Sequence, residues 1–316
     1  MADLVCPDLV CMGEPMLEFN QQPSPDGRRL YLEGFGGDTS NAAIAAARQG
    51  ASAAYVTGIG RDAAGERFLE LWRQEGVDTS GVTIADHSAT GIYFVMHSDA
   101  GHRFLYYRDG SAASRIGPEN VPESLFSNAK IAYFSGISQA ISASASDAVF
   151  HAMALTRAGG GLIAYDTNYR PRLWPPARAA AVMHAAMACA DYALPGIEDV
   201  RILTGLTDPD AMLDFYLRLG PLVVVLKMGE AGAWLATPER RVHIARHAVQ
   251  VVDATGAGDA FCGSFLARVL AGDEPEQAAR YANVAAALKC TGYGAVAPIP
   301  YAADVVAAMR GTTDHV

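Results

Sequence analysis

The run Val251-Val-Asp-Ala-Thr-Gly-Ala-Gly-Asp-Ala-Phe261 brings together residue types suited to holding an anion and moving a proton. Apolar residues up to Val252 read as a strand. Gly256 and Gly258 then loosen the backbone, and Asp259 opens an Ala-rich helix. In such a turn the N–H groups of Ala257, Gly258 and Asp259 can converge on one anion, and the helix start adds its partial positive charge. That environment suits the charge that develops on a phosphoryl group in transfer. Asp259, beside it, is placed to take a proton from an attacking hydroxyl. Taken alone, the run also admits a tight turn in which Asp259 caps the helix. The chain contains no Gly-x-x-x-x-Gly-Lys-[Ser/Thr], so a nucleotide would be held by something other than a P-loop.

Further candidates lie elsewhere in the chain. Gly36-Gly-Asp-Thr-Ser-Asn41 precedes an Ala-rich helix and reads either as a set of hydrogen-bonding groups for sugar hydroxyls or as a capped helix start. Tyr106-Tyr-Arg108 and Asp166-Thr-Asn-Tyr-Arg170 each end in an arginine, whose planar fork matches carboxylate or phosphate; a surface arginine at a strand end is the plainer reading of each. Lys227-Met-Gly-Glu-Ala-Gly232 follows an apolar strand and reads as a loop beside a nucleotide or as a hairpin turn. Gly58-Ile-Gly-Arg-Asp-Ala63, with Asp78 downstream, matches a dinucleotide-binding pattern. It follows an earlier strand and helix, however, and Asp62 looks like a helix cap. The histidines show no metal-ligand spacing; His243 and His247 sit in a strand-like alternation and read as structural or exposed.

These motifs need elements to position them. Short apolar runs at 9–12, 53–57, 131–134, 162–166, 192–194 and 222–226 predict buried strands. Helical patterns fall at 41–49, 63–75, 145–158, 178–189, 260–270 and 276–290. The alternation predicts a mostly parallel sheet with helices on both faces. Two stretches, about 15–36 and 88–110, are strand-like but richer in aromatic and polar residues, and the second carries a hairpin signal at Asp99–Gly101. They predict a small separate sheet, serving as a lid or as a dimer interface. No repeat or interdomain linker is visible, so residues 1–316 read as a single domain.

The 316 residues are 51% apolar and 18% charged, with a net charge of −10. That composition excludes disorder, and the acidic balance argues against nonspecific nucleic-acid binding. The five cysteines form no Cys-x-x-Cys pair and read as reduced thiols. The N-terminal residues lack a basic signal region, and the most apolar helical stretch is interrupted by Arg178, His184 and Asp191. The expectation is a soluble cytoplasmic protein without membrane contact.

Taken together, the motifs at Gly36–Asn41, Tyr55–Asp62 and Asp253–Asp259, in that order, resemble the ribokinase-like (PfkB-type) carbohydrate kinase family over nearly the whole chain. Within it, Gly13-Glu-Pro-Met-Leu-Glu18, Gly101–Ala113, Phe134-Ser-Gly-Ile-Ser138 and Asp166-Thr-Asn-Tyr-Arg-Pro-Arg-Leu-Trp174 resemble the branch acting on 2-keto-3-deoxygluconate. The resemblance implies a three-layer α/β/α sandwich with a small β-sheet lid. It implies ATP and Mg2+ as cofactors and phosphorylation of the primary hydroxyl of a sugar acid, with Asp259 as base and Gly256, Ala257 and Gly258 around the phosphoryl. By analogy Gly37 and Asn41 line the sugar site, with Tyr93, Tyr106 and Arg108 reaching it from the lid, and Arg170 faces the substrate carboxylate or the phosphate. Asn168, Arg170, Lys227, Gly229, Gly232 and Asn283 frame the nucleotide. Where relatives carry Asn-x-x-Glu for magnesium, this chain reads Pro195-Gly-Ile-Glu-Asp199, which makes Asp199 the metal candidate. A homo-oligomer, such as a dimer through the lid, is the expected assembly. The alternatives are a kinase of fructose, ribose or another ketogluconate, a nicotinamide oxidoreductase using Gly58 and Gly60, and a sugar-binding protein without turnover.

Overall fold

The computed structural model describes residues 7–22, 24, 26, 28–98 and 101–311. In chain order the strands are β1 (Leu9–Met12), β2 (Met16–Gln22), β3 (Leu30–Gly36), β4 (Ala53–Gly60), β5 (Val82–Ala85), β6 (Gly91–Ser98) and β7 (Gly101–Tyr107). There follow β8 (Ile131–Ser135), β9 (Leu162–Asp166), β10 (Tyr192–Ala193), β11 (Val223–Lys227), β12 (Ala233–Ala236) and β13 (Arg241–Ile244). Nine of them form one sheet in the order β13-β12-β11-β10-β9-β8-β1-β4-β5. Its pairs are parallel from β5 to β11, and the β11–β12 and β12–β13 pairs are antiparallel, so that β12 alone is reversed.

Alternating side chains explain why these strands read as unbroken apolar runs. Leu9 and Cys11 of β1, Ile131 and Tyr133 of β8, and Val223 and Val225 of β11 enter one core. Val10 and Met12, Ala132 and Phe134, and Val224 and Leu226 enter the other. Helices Asp38–Arg48, Ala63–Gln74, Ala257–Leu270 and Pro275–Lys289 cover the first face. Ala143–Ala158, Pro176–Met187, Ile197–Thr204 and Pro209–Leu219 cover the second. A sheet buried on both faces needs no polar side, which is how parallel sheets are built. The helices Ile197–Thr204 and Pro209–Leu219 are additions to the elements expected from sequence.

The remaining four strands form a second sheet in the order β3-β2-β6-β7. β2 pairs antiparallel with β3 and parallel with β6, and β6 pairs antiparallel with β7 up to Ser98 opposite Gly101. The expected turn residues Asp99 and Ala100 lie outside the described residues, as does Cys6. The other four cysteines are free thiols. Among the described residues no helix is long and apolar enough to cross a membrane.

Two expectations need correction. The segment 245–252 is not a strand: the main sheet already ends at the β13 edge, and Val251 and Val252 stand 56% and 43% exposed. Their stretch is held instead by the Cys290 carbonyl, which accepts the N–H of Val252 at 2.8 Å and of Asp253 at 3.1 Å. The Gly58–Gly60 pattern is no cofactor loop. Both glycines lie inside buried β4, where a Cβ would meet the Ala112 carbonyl at 2.6 Å and the Ser88 carbonyl at 2.6 Å. Asp62 caps the helix Ala63–Gln74 by accepting from Gly65 N.

Candidate active site

In the main sheet the chain winds outward from β1 through β4 to β5, then returns to β8 on the other side of β1 and continues to β11. The C-terminal ends of β1 and β8 thus bound a switch point, where open α/β sheets leave a crevice. A cleft of about 1110 Å³ opens there and runs along the strand ends, beneath the small sheet. The sites expected from scattered motifs converge on it. Gly37, Asn41, Tyr93, Tyr106 and Arg108 line one part, joined by Asn168, Arg170 and Asp199. Lys227, Gly229, Gly232 and Asn283, with Gly256, Ala257, Gly258 and Asp259, line the rest.

Asp259 sits in the first turn of the helix Ala257–Leu270, behind the Gly256 N-cap. Gly256 has φ 76, in the left-handed region that favours glycine. Asp259 is therefore not the cap, and no side chain caps this helix start. The Ala257 N–H donates to the Ala254 carbonyl at 3.1 Å. Gly258 and Asp259 are left with the unpaired amides of a first turn, available to an anion. This corrects the expectation that the Ala257 amide joins them.

The carboxylate is positioned by close packing of two helices. A Cβ on Gly263 would lie 2.1 Å from the Ala42 carbonyl, so only glycine allows Ala257–Leu270 to approach Asp38–Arg48 this closely. One turn back from that contact, Asn41 Nδ2 donates to Asp259 Oδ2 at 2.8 Å. Asp259 is buried, and burial together with the nearby Asp38 carboxylate pushes its pKa up to about 7. A buried carboxylate titrating near neutrality is suited to general-base work.

Around it lie three acids: Asp199, the metal candidate, and Asp38 and Asp166, which the motifs contained but which were not singled out. Asp38 accepts from Ser135 Oγ and from Asn168 Nδ2, the latter at 3.2 Å. Asn168 is held at φ 35, a strained position that asparagine tolerates. Asp166, at the end of β9, accepts from Lys227 Nζ at 2.5 Å. Burial alone would lower the Lys227 pKa, but Asp166 more than reverses this and raises it. Lys227 borders the 256–259 loop: a Cβ on Gly258 would be 3.6 Å from its Nζ. Asp199 Oδ2 accepts from Thr167 Oγ1 at 2.8 Å and Tyr169 N at 3.1 Å, and burial and Asp166 raise its pKa.

Two acceptors beside Asp259, Asp38 Oδ1 and Asn41 Oδ1, are buried without a partner among the described residues. Buried acceptors are normally satisfied, so these mark where ligand hydroxyls would donate. The arginines differ from expectation. Arg108 forms a buried ion pair with Glu14, which also accepts from Ser111 Oγ at 2.5 Å. Its charge is therefore already matched. Arg170 is exposed and donates only to the Tyr169 carbonyl, at 2.9 Å. Arg172, which was not expected at the site, also lines the cleft; it donates to the Phe104 carbonyl at 3.0 Å and lies over the Tyr106 ring. Asn283 Nδ2 donates to the Ala245 carbonyl at 2.9 Å, at the far end of the cleft.

Residues 8–302 match the pfkB family carbohydrate kinases, and the chain belongs to that family. It is a carbohydrate kinase with the ribokinase-like fold. The 2-dehydro-3-deoxygluconokinase of Thermoproteus tenax is 36% identical over 287 residues, 89% of this chain and 87% of its own length. A PfkB protein from Polaromonas sp. JS666 is similar in structure, with a TM-score of 0.85 and 30% identity over 96% of this chain and 99% of its own. A fructokinase from Xylella fastidiosa with bound ATP gives a TM-score of 0.88 at 25% identity, over 96% and 98%.

Proposed function

We propose that this kinase transfers the γ-phosphoryl group of ATP to the primary hydroxyl of 2-keto-3-deoxy-D-gluconate, giving 2-keto-3-deoxy-6-phosphogluconate. The observation that carries the reading is the buried acceptor pair Asp38 Oδ1 and Asn41 Oδ1 beside Asp259, at the foot of an uncapped helix start. Acceptors suit a polyol, the helix start suits a phosphoryl group, and the carboxylate joins them. The similarity to the Thermoproteus tenax enzyme supports the sugar acid.

Bound ATP supplies the phosphoryl group, and magnesium neutralises charge on its phosphates. No cluster of three or more His, Cys, Asp or Glu able to hold a metal occurs among the described residues. Asp199 offers one carboxylate near Asp166, which suits an ion held mainly by phosphate oxygens and water. Asp259 takes the proton of the attacking hydroxyl as the new O–P bond forms. The amides of Gly258 and Asp259 and the Lys227 ammonium face the phosphoryl oxygens. Tyr93 and Tyr106, stacked with centroids 5.8 Å apart, roof the sugar from the small sheet and keep water out. Arg170 is the cation for the substrate carboxylate. Asn168, Gly229, Gly232 and Asn283 border the nucleotide. We place the enzyme in the cytoplasm, where ATP is available. The outer face of the small sheet exposes Leu30, Leu32 and Tyr107, which supports a dimer through that sheet, tested by light scattering.

A neutral ketose such as fructose is the second reading, favoured by the pairing of Arg108 with Glu14, which removes one of the two cations. Coupled ADP release with a panel of sugars separates the two. Turnover of the ketodeoxy acid well above fructose is expected; ADP release with fructose and none with any sugar acid would discard the substrate assignment.

A further inference from the structure

Lys289, the last residue of the helix Pro275–Lys289, is fully buried at 0% exposure. Lysines are almost never buried this completely without a carboxylate partner, yet Lys289 forms no ion pair among the described residues. Its Nζ donates instead to the Asp253 carbonyl at 2.8 Å. Asp253 opens the loop that ends at Asp259, so the ammonium lies directly behind the proposed phosphoryl cradle.

The segment after Lys289 holds the rest of that loop. The Cys290 carbonyl accepts from Val252 and Asp253. The Asp253 carboxylate accepts from Thr255 N at 2.9 Å and Thr255 Oγ1 at 2.7 Å, and from Gly294 N at 2.9 Å. Ala295 packs against Gly256, where a Cβ would come within 3.1 Å of the Ala295 Cβ. Loop geometry is thus set from the end of this helix, with Lys289 as the cation of the support and the Asp253 carboxylate as its acid. Burial pulls its pKa down, while Asp253, Cys290, Asp259 and the buried Glu18 of β2 oppose that pull.

The charge has a further consequence. The cleft is rich in acids: Asp38, Asp166, Asp199 and Asp259 all line it. Lys227 is matched by Asp166, and Arg108 by Glu14. Arg170 and Arg172 also line the cleft, and a further cation behind the amide donors would offset the repulsion these acids exert on a polyphosphate. The Lys289 ammonium hydrogen-bonds a carbonyl rather than a carboxylate, and in a low-dielectric surrounding its field reaches further than it would in water.

We propose that Lys289 is a positioning residue for phosphoryl transfer: its ammonium fixes the 253–259 loop through the Asp253 carbonyl and supplies the positive field that makes the loop accept the nucleotide's phosphates. The inference rests on the reading of this loop as the phosphoryl cradle.

The test compares kinetics of the full chain with Mg·ATP. Lys289→Gln keeps an N–H donor for the Asp253 carbonyl but loses the charge; Lys289→Met loses both. Both should lower kcat/KM for ATP by about 10²-fold, while KM for the sugar changes less than about threefold. Lys289→Ala should recover about tenfold or more on addition of methylammonium, with no recovery from tetramethylammonium, which is too bulky for the space left. Wild-type ATP kinetics in Lys289→Gln would overturn the inference, as would equal responses to the two cations. If Lys289→Met does not fold, the Gln and Ala variants decide. Gly258→Ala, which sets a methyl over the cradle, serves as the control. Its impairment alongside a wild-type-like Lys289→Gln removes only the Lys289 role, whereas wild-type kinetics in Gly258→Ala removes the cradle reading and this inference with it.

Discussion

Asn41 donates to Asp259 at 2.8 Å across the crossing of two helices 218 residues apart in the chain. The bond commits one carboxylate oxygen, Oδ2, and leaves Oδ1 without a hydrogen bond among the described residues. It also opposes burial and Asp38, which together raise the Asp259 pKa to about 7.

Activity should follow that ionisation. A base acts when deprotonated, so kcat/KM for the sugar should fall about tenfold per pH unit below about pH 7 and level off above it. Asn41→Ala removes a bond that stabilises the charged form, so it should move the inflection to higher pH. Initial rates between about pH 5 and 9 check both; a flat acid limb would remove Asp259 as the base. Asp259→Asn should bind ATP yet lose about 10³-fold or more in kcat.

The same shift affects stability with a definite sign. The folded pKa of about 7 lies above the ordinary aspartate value of 3.8, so the folded state binds the proton more tightly than the unfolded chain does. This group's penalty is absent below the unfolded pKa, grows as pH rises towards 7, and is constant above it. Asp259→Asn removes the penalty. The variant should be more stable than wild type at pH 8, by on the order of 2 kcal/mol or about 4 °C in Tm, with the gap closing as pH falls towards the unfolded pKa. Thermal melts of the ligand-free proteins at several pH values measure it; an Asn variant less stable than wild type at pH 8 would refute the buried-carboxylate account.

Lys227 and Asp166 make a separate prediction, because each is the other's partner at the exits of β11 and β9. Lys227→Met leaves a buried carboxylate unmatched and should cost about 3–5 kcal/mol. Adding Asp166→Asn should restore most of that loss, since removing both charges is far cheaper than removing one. ATP binding should stay weak in the double variant, because the ammonium beside Gly258 is gone. Melting temperatures and ATP titrations of the two single variants and the double variant give the coupling; a double variant no more stable than Lys227→Met would count against the pair.

The parts of this site legible in sequence are those carried by local pattern. The β1, β8 and β11 runs announced a sheet buried on both faces, and the glycines before Asp259 announced the turn that opens the helix Ala257–Leu270. What was not legible depends on long-range approach. Asp38 and Asp166 stood inside recognised motifs, but only the crossing of strand ends buries them together and lifts the Asp259 pKa. Lys289 reads as an ordinary basic residue closing a helix; only the approach of the 253–259 loop covers it. The Val-rich stretch before Asp253 had strand composition but hydrogen-bonds the Cys290 carbonyl instead of a strand. Arg108 looked free because its partner, Glu14, lies 94 residues earlier, in the link between β1 and β2.

The two arginines therefore give opposite tests of the substrate. Arg108 is buried against Glu14, so Arg108→Ala should destabilise the fold by on the order of 3 kcal/mol and weaken sugars of every charge alike. Arg170 is exposed and free of salt bridges among the described residues. Arg170→Ala should leave Tm within about 1 °C, as surface substitutions do. If Arg170 meets a sugar carboxylate, the loss of a charge-assisted bond should lower kcat/KM for the ketodeoxy acid by about 10–100-fold. Fructose, which offers no carboxylate, should lose less than about threefold. Equal losses for acid and neutral sugar would instead place Arg170 on the phosphates, and the acid preference would then have to come from Arg172.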